Sequence, residues 1–176
     1  PGGTLPARAR LPMVTMSQNL LPFEPREALR FGRFSPMRFK MRLLRLSQGR
    51  SFARADGVIF LTRYAQAVVQ RQVRGGVRAS ALIPHGIEPR FLQAPRPQRD
   101  FAAFTAQSPL QLLYVSILMP YKHQAEVAQA ASLLRAQGLP VRVRFIGADW
   151  GDGGAQLRRL FQVLDPAQEY LHWSGA

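Results

Sequence analysis

Leu112–Gln124, LLYVSILMPYKHQ, decides the reading of this chain. Leu112, Leu113, Tyr114 and Val115 form an apolar run of strand length, rich in residues that favour strands. Ser116 and Pro120 interrupt it, and proline cannot occupy a central strand. The run therefore predicts a buried strand that stops abruptly, with a helix starting at about His123. In an open α/β sheet, ligands bind in the crevice beyond the carboxyl end of such a strand. Lys122 falls there, beside the expected helix start. An ammonium and a helix N-terminus together suit an anion such as a diphosphate. Spacing alone fits equally well a solvated lysine at a helix start.

Working outward, the same scheme recurs. Val141–Ile146, VRVRFI, alternates as a strand does, and Gly147–Gly154, GADWGDGG, is a glycine-rich loop. Between them, Val127, Ala130, Ala131 and Leu134 share one helix face, and Gly138 ends that helix. A further helix is expected at about Ala155–Leu164, with Leu157, Leu160, Phe161 and Leu164 on one face, then a short strand from Tyr170 to Trp173. Upstream, Pro12–Ser17 reads as a strand ending in Gln18-Asn19. Val58–Leu61, VIFL, reads as a strand buried on both faces. Thr62 suits the N-cap of a helix over Arg63–Gln72, closed by Gly75-Gly76. Ala79–Ile83 is a third strand, stopping at Pro84-His85-Gly86. Residues 1–11 read as loop. The repeated strand–helix order predicts two Rossmann-like parallel-sheet units, 1–90 and 110–176. The proline-bearing stretch 91–109 is the expected linker.

Charge divides at the same place. Of a net charge of +14, residues 1–100 carry 18 Lys/Arg against 5 Asp/Glu, and residues 101–176 carry 6 against 5. A helix over Pro36–Arg54 places Met37, Met41 and Leu44 on one apolar face and Phe39, Leu43 and Leu46 on another, with Arg38, Arg42 and Arg45 between them. Two apolar faces predict contacts on two sides. The arginine stripe suits a solvated face, phosphate or an anionic membrane.

Several classes are excluded. There are no cysteines, so there are neither disulfides nor Cys-ligated zinc, which fits a reducing compartment. No segment is apolar enough for a membrane span. No G-x-G-x-x-G or Walker A sequence occurs. Histidines at 85, 123 and 172 suggest no Ser-His-Asp set. Nucleic-acid signatures are missing, and aromatics are not interleaved with the arginines as stacking platforms.

The stretch YVSILMPYKHQ, preceded by IPHGIEPRF and followed by RFIGADWGDGGAQL, resembles the family 4 glycosyltransferases of the GT-B fold. ADGVIFLTRYAQAVV and MSQNLLPFE resemble segments of that family's first domain, so the similarity runs over most of residues 12–176. The resemblance implies an enzyme that moves a sugar from a nucleotide-sugar donor to an acceptor, a glycan or a lipid-linked species, without a metal or other cofactor. It implies donor contacts from Ser116, Lys122, Gly147, Trp173 and Gly175, and cleft-facing positions for Gln18, Asn19 and His85. Lys122 matches the lysine of a V-[GS]-R-x-x-x-x-K pattern, whereas Ile117 stands at the arginine position. The family's two-glutamate motif has no counterpart up to Ala176, and the family's first strand would precede Pro1. The expectation is an inactive internal fragment, truncated at both ends, of a cytoplasmic enzyme peripheral to the inner face of a membrane. The competing expectation, from charge alone, is a basic module gripping nucleic acid or an anionic membrane.

Overall fold

The computed structural model describes residues 3–6 and 10–175, so the loop reading of residues 1, 2 and 7–9 lies outside the described residues. The chain forms two compact units, Pro1–Ala94 and Pro95–Ala176. Each holds a three-stranded parallel sheet in sequential strand order.

In the first unit the strands are β1 (Val14–Ser17), β2 (Gly57–Phe60) and β3 (Ser80–Leu82). A 3-10 turn at Leu21–Phe23 and the short α1 (Pro25–Leu29) follow β1, a region without sequence periodicity. Helix α2 (Pro36–Arg54) then runs for 19 residues. Ser35 caps it by accepting the Arg38 N–H at 3.2 Å, and Pro36 occupies its first turn, where no donor is needed. Helix α3 (Arg63–Gln72) follows β2, capped by Thr62, whose hydroxyl accepts the Ala65 N–H at 3.0 Å. Phe23, Phe52, Val58, Phe60, Val68 and Val69 make the core. Val58 and Phe60 alternate with the half-buried Gly57 and Ile59. The reading of 58–61 as buried on both faces is thus corrected: both helices lie over the face that carries Val58 and Phe60.

The second unit repeats this arrangement with β4 (Leu110–Val115), α4 (Gln124–Ala136), β5 (Val141–Ile146), α5 (Gly153–Leu164) and β6 (Leu171–Ser174). Ala128 and Ala131 of α4 and Leu157 and Phe161 of α5 pack with Val141, Val143 and Phe145. Those three share one face of β5, because strand side chains alternate, so both helices cover that face. Gly138 closes α4 with φ +81°, and the Leu139 N–H reaches back to the Leu134 carbonyl at 3.0 Å. Residues 92–100 and 104–109, between the sheets, form neither helix nor strand.

Two further expectations are corrected. Strand β4 is not buried: it is an edge strand, and Leu113 and Val115 are 65% and 67% exposed on the face that no helix covers. An apolar run does not distinguish an edge strand from a central one. Helix α2 does not make contact on two sides. It buries Met41, Gln48, Ser51 and Phe52, while Phe39, Leu43 and Leu46 stay exposed. Among the described residues, no helix is long and apolar enough to cross a membrane.

Candidate functional site

The loops at the carboxyl ends of β4, β5 and β6 hold the candidate donor residues. Beyond Val115 the backbone keeps to its neighbour: the Ser116 N–H bonds the Ile146 carbonyl at 2.9 Å, and the Leu118 N–H bonds the Ala148 carbonyl at 3.0 Å. Leu118 is 3% exposed and plugs this end of the core. The chain then makes a 3-10 turn, Pro120–Lys122, closed by a 2.9 Å bond from the Lys122 N–H to the Met119 carbonyl.

His123 separates that turn from α4. The expected helix start at His123 is corrected by one residue, because His123 lies in the left-handed region, with φ +61° and ψ +28°. Such a conformation costs a residue with a Cβ roughly 1–2 kcal/mol. Two side chains on either side hold it. The Tyr114 hydroxyl donates to the Lys122 carbonyl, and the Gln124 amide donates to the Ile117 carbonyl at 2.9 Å. Burial pushes the Tyr114 hydroxyl above its ordinary value, which keeps it a donor. Gln124 itself is buried. Neither residue carries a sequence signal, since each acts on a backbone atom seven or eight residues away.

Lys122 is half-buried, with Nζ 5.2 Å from the centre of the Tyr121 ring. Helix α4 begins two residues later, and the side chain of its N-cap residue, His123, makes no cap bond. Its Val127 N–H bonds the His123 carbonyl at 3.1 Å, and Glu126 pairs with His123 Nδ1 at 3.4 Å. A cation and a helix start thus adjoin one strand end, the arrangement that favours a bound anion.

Gly147, at the end of β5, lies against this loop. A Cβ there would come within 1.9 Å of the Ser116 carbonyl oxygen. The Gly147 carbonyl accepts the Trp173 indole N–H at 3.1 Å. The Trp173 ring also packs on Gly154, where a Cβ would approach Cη2 to 2.4 Å, and the Arg158 guanidinium lies 4.9 Å from it. Asp149 caps the start of α5 by accepting the Gly154 N–H at 2.7 Å. Ser116, Gly147 and Trp173 are therefore joined in one contact set at the ends of the three strands, with Lys122 on the loop leaving the first. Gly175 follows β6 and is exposed, with open space where a side chain would go. Gly154 and Arg158, which meet the Trp173 ring, and Asp149, which holds Gly154, carry no sequence signal for these contacts. The glycine-rich composition pointed to the loop, but not to which glycine the indole needs.

The positions in the first unit are more dispersed. Asn19 follows β1, and its Oδ1 accepts the Leu21 N–H at 3.0 Å, the loop-capping role that its residue type allows. Gln18 is exposed, with Nε2 3.6 Å from the Met16 sulfur. His85 lies exposed on the loop after β3. All three follow carboxyl ends of strands, at opposite edges of the sheet. Among the described residues, no group of three His, Asp or Glu side chains is placed to hold a metal.

A cavity of about 410 Å³ lies at the other end of the second sheet, lined by Arg135, Arg142, Glu169 and Tyr170 among others. Its cations are engaged: Arg135 pairs with Glu169 at 3.2 Å, and Arg142 donates to the Glu169 carbonyl at 3.1 Å. Being at the amino ends of the strands, it is not where a parallel sheet places its ligand.

The architecture defines a class: α/β, with two Rossmann-like three-stranded parallel sheets in tandem. A solved structure described as "Crystal structure of GtfA/B complex" shares this fold, with a TM-score of 0.50 and 22% identity, over 73% of this chain and 24% of that chain. At that identity the likeness is one of fold. No protein-family model and no curated protein matches the chain.

Proposed function

We propose that the chain carries part of a nucleotide-sugar-dependent glycosyltransferase of GT-B type, similar to family 4, with the donor diphosphate bound at the β4–α4 loop. One observation carries the reading. Lys122 stands on a turn clamped from both sides, between the end of a parallel strand and the start of α4. Backbone strain such as that at His123 persists where surrounding contacts over-determine it, and it concentrates at functional sites. The tandem-sheet fold shared with the GtfA/B complex supports the reading.

Breaking a sugar–diphosphate bond builds negative charge on the departing phosphate. A fixed ammonium and helix N–H groups stabilise that charge without a metal. With Ile117 at the family's arginine position, Lys122 bears more of the load. Ser116 and Gly147 would let the donor approach the backbone, and Gly175 would leave room beside it. Trp173 would act by shaping this floor as well as by contact. The chain covers 24% of the length of the matched chain, so turnover is proposed of the whole enzyme, and the 176 residues alone are expected not to transfer sugar. The acceptor would be a glycan or lipid-linked species.

Titration of the chain with nucleoside diphosphates, followed by amide NMR, tests the reading. Saturable shifts at residues 116–124 and at Gly147, unchanged by a chelator, are expected. Shifts of equal size in Lys122→Ala, or none in this loop, would count against it.

A further inference from the structure

We propose that the outward face of α2 docks on an anionic phospholipid membrane, inserting Phe34, Phe39, Leu43 and Leu46 while the flanking cations hold headgroup phosphates. Met41, Gln48, Ser51 and Phe52 define the inner face of this helix. At helical spacing, Phe39, Leu43 and Leu46 fall on the opposite side. They are 63%, 51% and 57% exposed, and Phe34, just before the helix, is 92% exposed. Large apolar side chains grouped on a water-facing surface mark an interaction site.

The charge around them decides the occupant. Arg38, Arg42 and Arg45 lie along one side of the apolar stripe and Lys40 and Arg54 along the other, while Arg50 continues the line of the stripe one turn beyond Leu46. Residues 28–55 contain eight Arg/Lys and no Asp/Glu. The bordering acids are already paired, Glu27 with Arg30 at 3.0 Å and Asp56 with Arg78 at 3.2 Å. A second copy of this face would set like charge against like. A nucleic acid would satisfy the arginines but leave the Phe and Leu side chains without an apolar partner. A membrane surface offers both anionic headgroups and hydrocarbon at shallow depth, as an amphipathic interfacial helix requires. This surface lies in the first unit and does not depend on the glycosyl-transfer reading.

The test is co-sedimentation of the chain with vesicles of phosphatidylcholine alone, and of phosphatidylcholine with about a third phosphatidylglycerol, the anionic charge supplying the attraction. Binding to the anionic vesicles is expected, weakening as salt rises. Phe39→Ser/Leu43→Ser/Leu46→Ser keeps every charge and is expected to lower the partition coefficient about tenfold or more. Phe39→Trp is expected to be quenched by brominated lipids beyond the background of Trp150 and Trp173. Circular dichroism checks folding, and if the triple variant does not fold, the quenching result decides alone. Four results would overturn the proposal: no binding to anionic vesicles, equal binding to neutral ones, an unquenched Trp, or a folded triple variant that binds like the parent. The last would leave only adsorption of a basic chain. A parent chain that binds a DNA duplex more tightly than vesicles, undiminished in the triple variant, would assign the face to nucleic acid instead.

Discussion

Gly147→Ala should collapse the candidate donor loop. An added Cβ would sit 1.9 Å from the Ser116 carbonyl oxygen, 2.5 Å from its carbonyl carbon and 3.1 Å from the Ile117 nitrogen. These are backbone atoms, so no flexible side-chain end can swing aside. The β4 loop must move instead, which breaks the Ser116–Ile146 and Leu118–Ala148 hydrogen bonds and draws Leu118 from the core. Each backbone bond is worth about 1 kcal/mol net, and exposing a buried leucine costs roughly 1.5–3 kcal/mol. Together the loss is about 4 kcal/mol, at the level reserved for severe core or backbone damage. For a unit of this size it corresponds to a fall in Tm of about 15 °C or more. The chain's two tryptophans, Trp150 and Trp173, both lie in the Pro95–Ala176 unit, so their fluorescence reports its melting. Gly151→Ala is the control. It also has positive φ, +60°, but meets nothing within 4 Å, and should cost only about 1 kcal/mol. A Gly147→Ala chain melting with the parent, or no lower than Gly151→Ala, would refute the steric reasoning.

Two further outcomes follow from polar contacts. Burial raises the Asp165 carboxyl, but the N–H groups of Tyr170, Glu169 and Leu171 together hold it below its ordinary value of 3.8. The stability it confers is therefore complete above that value and lost as pH falls through the lower folded one; Asp165→Asn should flatten this acid limb in pH-dependent melts and cost about 2 kcal/mol at neutral pH, and an unchanged acid limb would contradict it. Thr62→Ala removes the cap of α3 and should cost about 1 kcal/mol, seen as amide exchange within Arg63–Gln72 accelerating by about fivefold; unchanged exchange would remove the cap from the account.

Much of this was legible in residue order. The strand at Leu110–Val115, the helices of α2 and α3 and the strand at Val141–Ile146 lie where periodicity and punctuation place them. Those signals are local: Thr62 caps its own helix, and Gly138 closes the one before it. Burial was less legible, because it depends on what lies opposite. Leu113 and Val115 have the composition of a central strand and occupy an edge. Phe39, Leu43 and Leu46 have the spacing of a packed face and meet no packed partner. The clamps at the site were also hidden. Tyr114 and Gln124 act through backbone carbonyls, for which any donor of suitable reach would serve. His123 gives no hint of left-handed backbone, since glycine or asparagine is the residue that usually announces it.

Donor kinetics of Lys122→Ala in the whole enzyme test the central claim most directly. A charge-assisted bond to phosphate is worth about 1.5–3 kcal/mol, and a bond that strengthens as the leaving group gains charge affects turnover as well as binding. The account predicts kcat/KM lowered by about ten- to a few-hundred-fold, with Lys122→Arg recovering only part, because a planar fork does not replace a compact ammonium. A Lys122→Ala enzyme that melts with the parent and turns over donor at the parent's rate would contradict it and return Lys122 to the solvated surface.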